Sequence, residues 1–249
     1  MVKIQVNSQG KAYITSGGKA LLTPELIGIP REVKNGVYQM PTTSFTFSLP
    51  NDATDVGSYG LSYAFYSCTA LTSVDLSSLT TVSGTRGLSY AFYSCTALTS
   101  VDLSSLTTVS GTRGLSYAFY SCTALTSVDL SSLTTVSDSY GLSYAFYGCT
   151  ALTSVDLSSL TSVGSYGLYN AFVGCTAITD VYFPALTTSS FGIYKNQFNN
   201  MMQDTGSTVT HTLHFPSNLE STIQGLTGYP LFGGTSGYVV LSFDLPATS

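Results

Sequence analysis

The chain has no tryptophan, two histidines and only 8 % charged residues over 249 positions, with a formal net charge of −5. That scarcity of charge excludes the Lys/Arg-rich stripe from which nucleic-acid binders and anionic-membrane binders draw most of their affinity. No stretch approaches the ~20 consecutive apolar residues of a membrane span, so no membrane insertion is expected. Met1 to Leu22 holds lysines but no apolar core of about 7–15 residues, so a Sec leader is not expected there. Localisation is read as extracellular, cell surface or virion, with the export route left open. Five cysteines occur without a C-x-x-C pair, which argues against a cysteine-built zinc site, and neither a metal nor a cofactor is expected.

What the chain does have is repetition. Gly60 to Arg86 reads GLSYAFYSCTALTSVDLSSLTTVSGTR, and Gly87 to Arg113 repeats it letter for letter. Units begin at Gly60, Gly87, Gly114, Gly141 and Gly167, spacings of 87−60 = 27, 27, 27 and 167−141 = 26 residues. A unit that cannot bury its own apolar face is stable only when stacked, so the expected fold is a repeat solenoid. Leu71, Val74 and Leu76 fit the L-x-x-L-x-L strand signature of leucine-rich repeats, as do Leu98/Val101/Leu103, Leu125/Val128/Leu130, Leu152/Val155/Leu157 and Ile178/Val181/Phe183.

Within each unit Leu61, Ala64, Phe65 and Cys68 fall at i, i+3, i+4 and i+7, which predicts one face of a short convex helix. Leu79 and Val82 fill the return segment. The cysteines Cys68, Cys95, Cys122, Cys149 and Cys175 occupy one inward position per unit and are read as reduced core residues. The full expectation is a right-handed leucine-rich-repeat superhelix with a parallel concave sheet and short convex helices. Residues 1–42 form an N-terminal segment of hairpins, with turns at Ser8-Gln9-Gly10 and Ser16-Gly17-Gly18, followed by a linker punctuated by Pro24, Pro30 and Pro41. Residues 43–190 hold a half-unit opening at Phe45–Leu49, ahead of Pro50, plus five units. Residues 191–249 hold a degenerate repeat, in which Phe191 to Phe198 echoes the helix, and a cap. There Ser217-Asn218-Leu219-Glu220 is a capping box and Tyr238 to Phe243 a closing strand.

The core A-F-Y-x-C-T-A-L-T-S-V-D-L, as in Ala64 to Leu76, resembles the BspA-like leucine-rich repeats of bacterial surface proteins, over roughly Phe45 to Phe215. The resemblance implies a curved solenoid that binds proteins, host surfaces or other cells, with no catalytic residues to carry over. A fainter similarity, in the hairpins and the Ser/Thr-rich style, is to leucine-rich-repeat proteins encoded by phages and prophages of gut Firmicutes.

Two outward patterns stand as candidate binding surfaces. On the concave strip Asp75, Asp102, Asp129 and Asp156 form a column continued by Tyr182 and His214, flanked by Thr72 and Ser73. Like charges ~4.8 Å apart repel, so the column is relieved by neighbouring hydroxyls, binds a cation, or meets a partner directly. On the convex side Tyr66, Tyr93, Tyr120 and Tyr147 form one tyrosine column beside Tyr63, Tyr90, Tyr117 and Tyr144. Tyrosine suits recognition of sugars and proteins, and equally suits covering a core edge by stacking between units. Tyr182, His211 and His214, with Asp156 and Asp180 near, gather where the repeat breaks; an H-x-x-H spacing on a strand puts the two rings on different sides. Identical units translate one surface, whereas an active site is a single asymmetric constellation, so the chain is read as a non-enzyme. The expected function is a binding or adhesion module for protein or glycan on a cell surface, with homo-oligomerisation through residues 1–42. The alternative is a structural or receptor-binding part of a phage particle, a tail fibre or decoration protein.

Overall fold

The inward leucines and valines do what their spacing demands in a computed structural model of the chain. It describes residues 3–6, 12–16, 19–21, 32–34, 37–39, 44–49, 51, 53–191, 197–198, 200–202, 210–224 and 239–247. At the N-terminal end β1 (Lys3–Val6), β2 (Ala12–Ser16) and β3 (Lys19–Leu21) pair antiparallel, as the two expected hairpins. Their turn residues 7–10 and 17–18, the punctuating Pro24, Pro30, Pro41 and Pro50, and the helix echo at 192–196 lie outside the described residues. The stretch read as a linker contains a further hairpin, β4 (Glu32–Lys34) with β5 (Val37–Gln39). Its register sets Lys34 opposite Val37.

The solenoid follows. β6 (Phe45–Ser48) opens it, and each of the coils that start at Gly60, Gly87, Gly114 and Gly141 contributes one main strand and one return strand. These are β7 (Leu71–Asp75) and β8 (Thr81–Val82), β9 (Ser100–Asp102) and β10 (Thr108–Val109), β11 (Ser127–Asp129) and β12 (Thr135–Val136), and β13 (Ser154–Asp156) and β14 (Ser162–Val163). The main strands form a parallel sheet in the order β13-β11-β9-β7-β6, and the return strands form a second in the order β14-β12-β10-β8. β15 (Asp180–Tyr182), β16 (His211–Pro216) and β17 (Val239–Leu245) close the C-terminal end as a third parallel sheet.

Where short convex helices were expected, the backbone runs instead as overlapping turns. In the coil that starts at Gly114, the N–H groups of Ser116, Ala118, Tyr120 and Cys122 bond carbonyls three residues back, at 3.0–3.3 Å. Those of Leu115, Tyr117, Phe119 and Ser121 donate to Gly141, Ser143, Ala145 and Tyr147 of the next coil, at 2.7–3.0 Å. Every fourth residue is left-handed: Arg113, Tyr117 and Ser121 have φ of 59°, 59° and 56°. A four-residue turn period places side chains at i, i+3, i+4 and i+7 inward just as a helix would. The turn ladder wins because it gives alternate N–H groups to the neighbouring coil, whereas a helix satisfies its backbone within itself.

Three ladders therefore enclose one core. Phe65, Phe92, Phe119, Phe146 and Phe172 stack along it at 5.3–5.5 Å between ring centroids. Leu79, Val82, Leu213 and Phe215 are fully buried, as expected. All five cysteines are buried thiols outside any disulfide. The Cys95, Cys122 and Cys149 thiols each donate to a phenylalanine carbonyl of the preceding coil at 3.1 Å, and burial pushes these thiols up. Coils approach so closely at the corner that a Cβ on Gly111 would sit 2.1 Å from the Gly84 carbonyl oxygen. At the C-terminal end Ser217–Leu219 is 3-10 and leads into α1 (Glu220–Gln224). The capping box itself does not form: no side chain caps this start, and Glu220 accepts from Gln224 instead.

Candidate functional site

Much of the hydroxyl-rich surface turns out to serve the stack. Thr99, Thr126 and Thr153 donate their hydroxyls to the carbonyls of Thr72, Thr99 and Thr126, at 3.0–3.2 Å. Thr107, Thr134 and Thr161 repeat the device beside the return sheet. Thr72 thus begins a column of coil-to-coil clamps, while Ser73 lies on the outward side of β7, in register with Ser100.

The aspartates point outward. Val74, Val101, Val128 and Val155 are buried between Ser73/Asp75 and their equivalents, so parity along each strand sends Ser and Asp to solvent. Asp75, Asp102, Asp129 and Asp156 stand in exact register. Each accepts the N–H of the serine two residues on, Ser77, Ser104, Ser131 and Ser158, at 2.9–3.0 Å. Hydrogen bonds from the Ser77 hydroxyl and then its backbone hold the Asp75 carboxyl below the usual range, and Ser131 does the same for Asp129. Local hydroxyls and amides thus offset the repulsion along the column. Among the described residues no group of three or more His, Cys, Asp or Glu side chains is arranged to hold a metal ion. The strip carries two shallow troughs, about 490 Å³ from Thr46 to Asp129 and about 540 Å³ from Ser127 to Tyr182.

At the C-terminal end the column changes character. Tyr182 pairs in register with His214, and their rings stack at 4.2 Å. His214 Nε2 lies 3.0 Å from Asp180 Oδ1, and Nδ1 lies 2.9 Å from the Asp244 carboxylate. Burial draws the imidazole pKa down, but the hydrogen bonds to Asp180 and Asp244 outweigh it and the net shift is upward. His214 correspondingly holds Asp180 and Asp244 below their ordinary value. Of the residues grouped from the sequence, the structure brings Tyr182, His214 and Asp180 together. His211 takes the opposite, buried face of β16, where its Nδ1 meets the Ile178 carbonyl. Asp244 was missed because the closing strand was read to stop at Phe243; carrying the alternation on to Leu245 would have turned it outward.

Both tyrosine columns stack between coils. Tyr66, Tyr93, Tyr120 and Tyr147 follow at 4.6–4.8 Å and Tyr63, Tyr90, Tyr117 and Tyr144 at 4.5–4.8 Å, with adjacent rings nearly parallel. The ring faces are thereby used on one another, leaving edges and hydroxyls to the outside. Burial, then neighbouring phenols, push Tyr90, Tyr93, Tyr117 and Tyr120 above the ordinary phenol value.

The sequence profile of the BspA-type leucine-rich-repeat region matches in six copies, over residues 32–166 and 116–222. The chain belongs to the BspA-type leucine-rich-repeat family. No curated protein matches it. Among solved structures this BspA-type chain is similar to a leucine-rich cell surface protein from Faecalibacterium prausnitzii, at 14 % identity over 97 % of this chain and 93 % of that one, with a TM-score of 0.25. It is also similar to an internalin from Listeria monocytogenes, at 12 % identity over 75 % of this chain, with a TM-score of 0.28; the match spans 58 % of the internalin. Among the described residues of the BspA-type solenoid no helix is long and apolar enough to cross a membrane.

Proposed function

We propose that the protein is a non-enzymatic adhesion module that works at a cell surface, with the outward face of its main sheet as the contact strip for a protein or glycan ligand. The observation that carries this reading is the translation of one unburied motif, Ser-x-Asp, through β7, β9, β11 and β13 in strict register. The two threonine columns are bound to neighbouring coils, but these serines and carboxylates face solvent over two troughs. Membership of a family of repeat scaffolds fits the same reading. Modest affinity per coil adds up when several coils meet one extended ligand.

The test is binding of the purified full chain to immobilised host matrix proteins and a glycan array, beside the variant Asp75→Ser, Asp102→Ser, Asp129→Ser and Asp156→Ser. The reading expects a bound ligand whose affinity falls about tenfold or more in the variant, equivalent to a few strong contacts, with an unchanged melt. Binding that survives the fourfold substitution contradicts the strip as the contact surface.

A further inference from the structure

The turn face holds a third outward column that neither tyrosine column accounts for: Tyr59, Arg86, Arg113, Tyr140 and Tyr166, the residue before each unit's opening glycine. Arg86 and Arg113 are the only Lys or Arg between residues 44 and 191. Arg86 and Arg113 hold the same place on successive coils, whose backbones run about one strand spacing, ~4.8 Å, apart, with the Arg86 N–H bonded to the Thr112 carbonyl at 2.9 Å. Among the described residues neither has a carboxylate within 4.0 Å, and Arg113 instead lies 5.4 Å from the centre of the Tyr140 ring. Asp138, two residues before Tyr140 of this column, is engaged by the Thr112 hydroxyl and the Ser139 N–H, each at 2.7 Å. Two like charges side by side without a counter-charge are an arrangement that an anion would relieve.

These arginines form one wall of a groove of about 210 Å³. Its other wall includes Tyr90 and Tyr117, whose faces are spent on stacking, so it presents ring edges, the positive part of the aromatic quadrupole. The buried serines Ser89 and Ser116 line its floor. Ser89 donates its hydroxyl to the Ser116 carbonyl and so keeps its oxygen lone pairs for a donor from outside. The backbone at Arg86 and Arg113 is left-handed, φ 55° and 59°, a conformation that costs an L residue about 1–2 kcal/mol and that glycine adopts freely. Glycine takes such slots at Gly148 and Gly174, so the fold accommodates it, yet the arginine column keeps full side chains.

We infer that this groove is a binding site for an acidic saccharide, a sugar ring whose carboxylate or sulfate lies across Arg86 and Arg113 while its hydroxyls meet the phenol edges and the serine floor. The groove is smaller than the ~300–1,000 Å³ that holds a drug-sized ligand, which suits one sugar unit at a time rather than a folded partner. Planar guanidiniums match an oxyanion bidentately. The acidic columns stand on the main-sheet strands, away from this groove, so they leave its cationic character intact. The inference deepens the adhesion reading and rests on the chain being a binding module.

Calorimetry on the full chain tests it with a hyaluronan tetrasaccharide, a sulfated heparin disaccharide, neutral chitotetraose and a polyglutamate peptide. The decisive variant is Arg86→Tyr with Arg113→Tyr, because tyrosine already occupies this left-handed slot at Tyr59, Tyr140 and Tyr166 and would extend their stack. The expected result is binding of an acidic sugar, by carboxylate or by sulfate, that weakens about tenfold or more in the double variant while the melt is unchanged. Tyr140→Arg, which adds a third cation, should tighten it. Equal binding of chitotetraose or of polyglutamate, or no loss in the double variant, overturns the site. Adhesion of the full chain without affinity for either acidic sugar would remove the groove and leave the module standing.

Discussion

Between Gly87 and Ser137 each coil sets the same side chains over those of the last, whereas from Gly167 onward the inward pattern persists and the outward one does not. In the central coils the outward aspartate is held by a serine of its own loop, and the column is electrically uniform. At the C-terminal end the same column reads Tyr182 then His214, and the histidine is clamped between carboxylates from two strands, β15 and β17. The core tolerates no change of pattern in either region, since Phe119 and Phe215 are both fully buried. What differs is whether the charged groups of the outward column answer to their own coil or to neighbouring ones. A translating surface needs the first arrangement, and a closing end uses the second to tie its last strands together.

The sharpest break in the centre is Gly111→Ala. The new Cβ would meet backbone rather than a flexible side chain, so coils must separate at the corner. A loss of about 3 kcal/mol is expected, the upper range for overpacking, and a thermal melt should show a fall of roughly 10 °C. A melt within a degree of the native chain would mean that the corner is not close-packed.

At the other end the comparison is sharpened by pH. The raised His214 pKa gives stabilisation that is complete below the unfolded value of about 6.5 and is lost as pH rises through the higher folded value. The lowered Asp180 pKa gives stabilisation that is complete above the unfolded value of about 3.9 and is lost as pH falls through the lower folded value. The clamp should therefore be tightest between about pH 4 and 6.5. Amide exchange in β17, corrected for intrinsic rate, should quicken from pH 6 to 9 while that of β11 stays level, and His214→Gln should abolish the difference. Identical profiles for the two strands would show that the clamp contributes nothing.

Smallest is Ser121→Gly, which places in the third full coil the residue found at the same turn position in the fourth, Gly148. Relief of the left-handed serine exceeds the extra entropy of glycine only slightly, for a gain of about 0.5 kcal/mol. A loss of stability on urea titration would contradict the turn geometry.

The inward residues were legible because burial depends on spacing alone, and Leu61, Ala64, Phe65 and Cys68 are inward whether they stand on a helix or on a run of turns. The backbone that carries them was not legible. Its deciding bonds, such as Phe119 N–H to the Ala145 carbonyl, run to another coil and leave no local period. The β4–β5 hairpin lies in a stretch that its prolines marked as a linker. Of the site, the aspartate and tyrosine columns followed from repetition, whereas the Asp244 partner of His214 depends on how β17 lies against β16, with a register shift between His214 and Pro216.

The account turns on a surface that grows by translation, and deletion of residues 87–113, one whole unit of identical sequence, tests that most directly. The shortened chain should fold, keep its strand content, and bind the ligand of the full chain more weakly, with a second copy of the unit strengthening it. Unchanged affinity across chains shortened and lengthened by a unit would contradict a repeated binding surface and place recognition at one end.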